Sequence, residues 1–175
     1  MRQWWKTGSV LLLAALVVAV DQYAKAWIRQ ALPYGAVWSA PWAETLPWLR
    51  IVHWSNPGAA FGLFQQAGPL FTALAVVVVL AMLFHLPQMQ REPWLMRLGL
   101  GLVLGGALGN LVDRLTQGVV TDFIAVGAFP VFNLADASIT VGAVAILLAG
   151  WASGQDAEAG QETLTEEPEE KVPHE

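Results

Sequence analysis

The sequence predicts an all-α membrane protein with four transmembrane helices and a small extracytoplasmic cap rich in strands and loops. Three observations support this fold class. Hydrophobic residues make up 55% of the 175-residue chain, whereas charged residues make up only 13%. The mean hydropathy is +0.49. The apolar residues are concentrated in four blocks, each near the roughly 20 residues that cross about 30 Å of hydrocarbon.

The four blocks define the predicted spans. The second block is short enough to be a re-entrant segment, but its run over residues 73–83 carries no charge, which favours a full span. Together the spans form one predicted membrane domain over residues 1–153. The spans are predicted over residues 8–27, 70–86, 95–115 and 131–151.

The first block has features of a secretory signal peptide. Arg2 and Lys6 precede its apolar run, and Ala24-Lys25-Ala26 resembles a small-residue cleavage site. However, apolar character returns at residues 26–28, and three further apolar blocks follow. These features favour retention of the block as the first transmembrane helix.

Residues 28–69 connect the first two spans and form the predicted cap. Their apolar runs are short and interrupted by proline and glycine, which fits strands and turns better than a long helix. Tryptophan rings are enriched at membrane interfaces, so the four tryptophans between residues 38 and 54 are predicted interface anchors. They are Trp38, Trp42, Trp48 and Trp54.

The distribution of Lys and Arg predicts the orientation. Arg2 and Lys6 precede the first span, and Arg91 and Arg97 lie between the second and third spans, which favours cytoplasmic termini and an outward-facing cap. The bias is modest, because two further arginines lie in the predicted cap. These are Arg29 and Arg50.

The acidic residues are concentrated at the C-terminal end. The net charge is −5, but eight of the fourteen acidic residues lie between residues 156 and 175. A polar, Glu-rich segment with few aliphatic residues cannot bury enough apolar surface to fold. Residues 154–175 are therefore predicted to be a disordered acidic tail without a functional site.

Alternating helix direction brings the polar residues of the spans to one side of the membrane. The first and third helices end there, the second and fourth begin there, and spacings of three or four residues put each polar set on one helix face. A carboxylate at membrane depth costs on the order of several kcal/mol unless it is paired or lines a wet cavity, so this convergence predicts a functional pocket. The residues are Asp21, Lys25, Asn56, Asn110, Asp113, Arg114, Asn133 and Asp136.

Two carboxylates held close together are suited to aspartic peptidase chemistry. They cannot both ionise easily, so one carboxylate activates water while its protonated partner acts as an acid. Three aspartates, Asp113, Asp122 and Asp136, lie within 24 residues. Their spacing does not decide which two form the pair. Lys25 and Arg114 are also suited to structural ion pairs with Asp21 and Asp113, as cations at a helix end.

Other chemistries have weaker support. The chain has no cysteine, which excludes thiolate nucleophiles and disulfides. A serine nucleophile is disfavoured, because Ser55 is only two residues from His53 and Ser138 has no nearby His or Lys in sequence. The three histidines share no ligand spacing with the acids and no HExxH motif occurs, so we predict no metal and no cofactor. No basic, aromatic surface indicates a nucleic-acid partner.

A small proton-coupled transporter or channel is the alternative from another functional class. In such a protein, an intramembrane acid such as Asp21 or Asp136 carries the proton. Transporters commonly show repeat symmetry between their halves and acids near the membrane midplane. The halves of this chain are unlike and its acids lie at helix ends, which favours an interfacial enzyme over a transporter or a purely structural subunit.

The predicted third helix also contains a stripe of small residues. Gly101, Gly105 and Gly109 recur every four residues, a pattern that allows neighbouring helix backbones to approach closely. We interpret the stripe as a packing device beneath the polar residues.

Five motifs in order resemble the bacterial lipoprotein signal peptidase family, signal peptidase II, over about residues 8–151. They are Val20-Asp21-Gln22 with Lys25, Asn56-Pro-Gly-Ala-Ala-Phe61-Gly62, the run 105–115 that contains Asn110-Leu-Val-Asp113-Arg114, Val119-Val-Thr-Asp122-Phe123, and Phe132-Asn133-Leu-Ala-Asp136-Ala-Ser138. The resemblance implies a four-helix inner-membrane aspartic peptidase. Its substrates are diacylglyceryl-modified prolipoproteins, which it cleaves before the lipidated cysteine.

The resemblance also implies residue roles. Asp122 and Asp136 match the catalytic pair of the family. The other matching residues are expected to order the pocket or contact substrate, and they are Asp21, Lys25, Asn56, Asn110, Asp113, Arg114 and Asn133. It further implies that a monomer in contact with membrane lipid suffices. The stretch between the two catalytic positions is compact, and we expect residues 123–132 to form a hairpin or extended lid edge.

Overall fold

The computed structural model describes residues 4–39, 41–42, 44–57 and 68–165. Four helices are long and apolar enough to cross a membrane, which confirms the predicted fold class of a multi-pass membrane protein. A 3-10 segment, Leu86–Arg91, follows the second helix. The elements in order are α1 (Trp4–Ala31), β1 (Leu49–Asn56), α2 (Gly68–His85), α3 (Trp94–Gln117), β2 (Val120–Val126) and α4 (Leu134–Thr165).

Helix α3 is the centre of the bundle and packs against α1, α2 and α4. Glycines of α3, Gly105 of the predicted stripe among them, make this packing possible. A Cβ atom at Gly105 would lie 2.8 Å from the backbone oxygen of Ala14 in α1, and one at Gly99 would lie 2.6 Å from that of Gly142 in α4. Both distances are too short for a side chain, so α1 and α4 approach α3 closely because its facing residues are glycines.

The cap contains a two-stranded antiparallel sheet, in agreement with the strands and turns predicted for this region. β1 pairs with β2, and Trp54 lies opposite Asp122 while Asn56 lies opposite Val120. Trp38, whose backbone N–H donates to the backbone oxygen of Ile51 in β1, contacts Trp27 of α1 edge to face, with ring centroids 5.7 Å apart. The sheet therefore lies on the end of the bundle where α1 and α3 end.

A tight hairpin follows Asp122, as predicted for residues 123–132. Gly127 has a φ of +53°, a backbone conformation that favours glycine, and Ile124 forms an antiparallel bridge with Phe132. This pairing corrects the predicted start of the fourth helix. The helix begins at Leu134 rather than at residue 131, because Phe132 is held in extended conformation beside β2.

Two other segments differ from the sequence-based prediction, and two predicted segments lie outside the described residues. Helix α1 continues to Ala31, into the region assigned to the cap. Helix α4 continues to Thr165, so residues 154–165 are helical rather than disordered. Their Ala, Glu and Gln residues favour helix, and extending an existing helix requires no new nucleus. The rest of the predicted tail, and residues 58–62 of the Asn56 motif, lie outside the described residues.

Candidate active site

The predicted polar residues meet where α1 and α3 end and α4 begins. They form two connected groups. The first, which we call the ionic layer, consists of Asp21, Lys25 and Arg29 of α1 and Asp113 of α3. The second contains Asp122 of β2 and Asp136 of α4, which we call the cavity pair, with the asparagines that bind them.

The ionic layer balances two buried acids with two cations. Lys25 Nζ lies 2.7 Å from Asp21 Oδ2 and 3.6 Å from Asp113 Oδ2, and all three side chains are completely buried. Arg29 Nη1 lies 3.5 Å from Asp113 Oδ1. Burial of charges is tolerated when they are paired and hydrogen-bonded, as they are here.

Hydrogen bonds from other elements complete the ionic layer. The backbone N–H of Ala135 in α4 donates to Asp21 Oδ1 at 3.0 Å, and that of Thr121 in β2 donates to Asp113 Oδ2 at 2.9 Å. Gln22 Nε2 donates to Asp113 Oδ1 at 3.1 Å. The layer therefore joins α1, α3, α4 and β2 at one point.

Arg29 was not among the predicted site residues, because it falls within residues 28–69, the predicted cap. In the structure it lies in the last turn of α1, eight residues after Asp21 and four after Lys25. This spacing puts all three side chains on one helix face and is the signal that could have identified Arg29. The predicted pairing of Arg114 with Asp113 is not formed among the described residues, and Arg29 takes that place.

The cavity pair is bound by amides rather than by cations. Asn133 Nδ2 donates to Asp122 Oδ1, and Asn110 Nδ2 donates to Asp136 Oδ1, each at 2.7 Å. Asn133 Nδ2 also donates to Asn110 Oδ1 at 3.1 Å. A continuous chain of two amides therefore connects the two carboxylates. A third amide, Asn56 Nδ2, donates to Asp122 Oδ2 at 3.1 Å.

The ionic layer and the cavity pair meet at Asn110. Its Oδ1 accepts a hydrogen bond from Lys25 Nζ at 2.9 Å in addition to the one from Asn133. Because Lys25 can only donate, the oxygen of the Asn110 amide must face it, and the amide nitrogen must face Asp136. The buried lysine thus fixes the orientation of the amide that binds the cavity pair.

Asp136 is also held by the start of its own helix. Asn133 precedes α4, and its Oδ1 accepts from the backbone N–H of Asp136 at 2.9 Å. Asp136 Oδ2 in turn accepts from the backbone N–H of Asn133 at 3.3 Å. This reciprocal arrangement is a capping box, which satisfies two backbone donors that the helix cannot pair itself. It also limits the rotation of the Asp136 side chain.

The cavity pair lines a cavity of about 630 Å³. Asn56, Asn110 and Arg114 line the same cavity, and among the described residues Arg114 makes no ion pair or hydrogen bond there. The remaining wall is mostly apolar and comes from α2, β2, the hairpin and α4. It consists of Phe71, Val120, Phe129, Pro130, Val131, Phe132, Ala137, Thr140 and Val141.

The surroundings of Asp122 favour its protonated form. Burial and then the nearby Asp136 carboxylate raise the pKa of Asp122 to about 7, whereas the hydrogen bonds from Asn56 and Asn133 act in the opposite direction. Asp122 is only 1% exposed, so water contributes little to stabilising its charge. Near neutral pH, the cavity pair can therefore retain one proton. Across the described residues, no group of three or more His, Asp or Glu side chains could hold a metal ion.

Comparison with known proteins places this site in a family. Residues 13–152 match the model of signal peptidase (SPase) II. A lipoprotein signal peptidase of Moorella thermoacetica is 43% identical over 134 residues, which cover 77% of this chain and 87% of the relative. One of Acinetobacter baylyi is 37% identical over 147 residues, which cover 78% of each protein.

Solved structures of two bacterial membrane enzymes have the same fold. One, obtained by the in meso method at 2.3 Å resolution, has a TM-score of 0.72 at 28% identity and covers 95% of each chain. The other, at 1.9 Å, has a TM-score of 0.70 at 31% identity and covers 81% of this chain and 92% of its own. By the extent of these matches, the chain belongs to the signal peptidase II family.

Proposed function

We propose that the protein is an aspartic endopeptidase that removes signal peptides from diacylglyceryl-modified prolipoproteins, with Asp122 and Asp136 as its catalytic residues. One observation carries this proposal. Among the described residues, these are the two carboxylates that line the cavity, and amides rather than cations bind them. Asp21 and Asp113 are instead neutralised by Lys25 and Arg29 outside the cavity.

The chemistry follows from one proton shared by the cavity pair. The ionised carboxylate accepts a proton from a water molecule as the water oxygen attacks the carbonyl carbon before the lipidated cysteine. The protonated carboxyl donates its proton to the carbonyl oxygen. The carboxyl that took the proton from water then donates it to the cysteine nitrogen, and the C–N bond breaks. The other carboxylate recovers a proton from a hydroxyl of the tetrahedral intermediate, which restores the single shared proton. The products are a carboxylic acid on the signal peptide and a free amine on the lipoprotein.

The shape of the cavity supports a lipid-modified substrate. Its polar lining includes the cavity pair, and most of its other lining residues are apolar side chains from α2, β2, α4 and the hairpin. A substrate with acyl chains and a peptide requires both environments close together. Arg114, a cation in the cavity without an ion-pair partner among the described residues, can bind a carbonyl oxygen of the substrate.

The proposal includes an orientation in the membrane. The Lys and Arg bias favours cytoplasmic termini, which puts the cap and the cavity at the outer face of the inner membrane. Acyl chains then stay in lipid while water and the peptide meet at the boundary. A monomer suffices, since one chain supplies both carboxylates. The alternative of a proton-coupled transporter loses its basis, because the chain belongs to a family of peptidases.

The test is cleavage of a diacylglyceryl-modified prolipoprotein by purified protein in detergent. We expect wild type to cleave, and Asp122→Asn and Asp136→Asn each to lose at least about a thousandfold in kcat, because each removes a group that moves a proton. Asp113→Asn, which changes a carboxylate outside the cavity, serves as the matched variant and is expected to retain activity. Elution as a single folded species in size-exclusion chromatography is required of every variant.

Two outcomes contradict the proposal. An inert wild type with a verified lipidated substrate would reject the peptidase assignment, and proton transport in vesicles would be assayed next. Full activity in either cavity-pair variant would reject the catalytic assignment alone.

A further inference from the structure

Thr121, the residue directly before Asp122, is held at two points by two different helices. Its backbone N–H donates to Asp113 Oδ2 of α3 at 2.9 Å. Its hydroxyl oxygen accepts a hydrogen bond from Arg29 Nη1 of α1 at 3.0 Å. Thr121 is 3% exposed, so water has little access with which to replace either bond.

The alternation of side chains along a strand links this contact to the cavity. Thr121 and Asp122 are consecutive in β2, so their side chains point to opposite faces of the strand. The Thr121 hydroxyl contacts Arg29 of the ionic layer, and the Asp122 carboxylate lines the cavity. Holding the hydroxyl therefore limits rotation of the strand about its axis, and with it the direction of the carboxylate.

Pairing with β1 does not supply the same restraint. Trp54 lies opposite Asp122 and Ser55 opposite Thr121, which fixes the strand in the plane of the two-stranded sheet. A two-stranded ribbon twists easily about its long axis. The contact with Arg29 acts out of that plane, from the end of a transmembrane helix.

We propose that Arg29 is a positioning residue that fixes Asp122 through the Thr121 hydroxyl. The inference rests on the proposed function, because it assigns Arg29 a role through a catalytic Asp122. Arg29 itself is not among the residues that line the cavity. Its contact with Asp113 is 3.5 Å, at the limit of a hydrogen bond, so the 3.0 Å bond to Thr121 is the better one.

This role differs from that of Lys25. The Lys25 side chain is completely buried and contacts both acids of the ionic layer, whereas the Arg29 side chain is 27% exposed. Loss of the arginine leaves Asp113 with the Lys25 ammonium at 3.6 Å and with its hydrogen bonds from Gln22 and the Thr121 backbone. We expect an Arg29 variant to fold and to be impaired in turnover.

The experiment compares four single variants and one double variant in prolipoprotein cleavage. Arg29→Gln replaces the guanidinium that donates to Thr121 with a shorter, neutral amide. Thr121→Val removes the acceptor while it keeps the size and branching of the side chain. Thr121→Ser keeps the hydroxyl. Arg50→Gln removes an exposed cation from the cap and serves as the matched control.

We expect Arg29→Gln and Thr121→Val each to lower kcat about tenfold, in the range that a misplaced reacting group costs, with KM changed by less than about twofold. Thr121→Ser is expected to retain most of the activity, and Arg50→Gln to match wild type. The double variant, Arg29→Gln with Thr121→Val, is expected to have a kcat no lower than that of the more impaired single variant. Both changes break the same hydrogen bond, so their effects do not add.

The outcomes separate this inference from the proposed function. If wild type cleaves but Thr121→Val matches Thr121→Ser, the hydroxyl has no role and the inference is overturned. The inference is also overturned if the two reductions in kcat multiply in the double variant. It is likewise overturned if the substitutions change only KM and leave kcat at the wild-type value. If Arg29→Gln fails to fold, the two Thr121 variants decide alone. An inert wild type overturns the proposed function, and this role for Arg29 with it.

Discussion

The ionic layer and the cavity pair contain two aspartates each, in opposite surroundings. In the ionic layer, an ammonium and a guanidinium contact the carboxylates, and the acids are completely buried. In the cavity pair, the hydrogen-bond donors are amides that carry no net charge. A cation strongly favours the ionised form of a carboxylate, whereas an amide favours it only weakly. Proton transfer therefore remains possible in the cavity pair, and the ionic layer is suited to structure.

The ionic layer and the cavity pair also depend on one another. Lys25 neutralises Asp21 and, through Asn110, orients the amide that binds Asp136. The ionic layer thus sets the geometry of the cavity pair through a neutral amide, and the nearby charge of Lys25 also acts to lower the pKa of Asp122. Four substitutions test this division, from the largest expected effect to the smallest.

Lys25→Met is expected to destabilise the protein most. The change leaves Asp21 without its cation in a completely buried position, and breaking a buried ion pair from one side costs about 3–5 kcal/mol. The measurement is thermal unfolding in detergent. Arg50→Met, which removes an exposed cation, should unfold like wild type. If Lys25→Met unfolds at the wild-type temperature, the ionic layer is not a structural element.

Asp122→Asn is expected to change how stability depends on pH. The pKa of Asp122 rises from 3.8 in the unfolded chain to about 7 in the folded protein, so the folded state binds more protons between these values. Wild type therefore loses stability as pH rises from 4 to 8, on the order of 2–4 kcal/mol relative to Asp122→Asn, which does not titrate.

The check is the difference in melting temperature between wild type and Asp122→Asn across this pH range. Glu44→Gln, at an exposed position, controls for loss of a surface carboxylate. A difference that is constant with pH, or that favours wild type more at pH 8, would contradict the assignment of a proton to Asp122.

Gly109→Ala is expected to disturb the ionic layer by a smaller amount. A Cβ atom at this position would lie 2.7 Å from Asp21 Oδ2, so the carboxylate or the helix must shift, at a cost of about 1–3 kcal/mol. Gly150→Ala in α4 is the matched control, because its Cβ meets no atom within 4 Å. Equal unfolding temperatures of the two variants would show that the site relaxes without cost.

Asn56→Ala is expected to have the smallest effect. Its hydrogen bond lowers the pKa of Asp122, so its loss moves that pKa further upward. The basic limb of the kcat/KM profile against pH should then shift to higher pH by less than about one unit. A shift to lower pH would mean that Asn56 acts on the cavity pair in some other way.

Much of the fold was predictable, because the bilayer restricts the length, polarity and backbone structure of a segment that spans it. A span must be long, apolar and helical, and successive spans must alternate in direction. These constraints alone brought Asp21, Asn110 and Asn133 to one side of the membrane. The glycine stripe likewise predicted close helix packing, which Gly101 and Gly105 show.

The remainder depends on contacts between distant parts of the chain. The pairing of β1 with β2 joins residues that are more than sixty positions apart, and no local pattern indicates its register. That pairing and the hairpin decide where α4 begins. Arg29 was not predicted as a site residue because the predicted first span ends at residue 27, before the last turn of α1. Spacing could not separate Asp113 from Asp122 and Asp136, and only the family resemblance suggested which two are catalytic.

The ion pair between Asp21 and Lys25 has a consequence for biogenesis. Because both residues lie on α1, four positions apart, the first helix enters the bilayer with an acid and its counter-ion already together. Arg29, on the same helix, is likewise in place before Asp113 of α3 is synthesised. Lys25 therefore enters the bilayer on the same helix as the acid it neutralises, and Arg29 is synthesised before its acid. Neither acid is left in lipid without a cation.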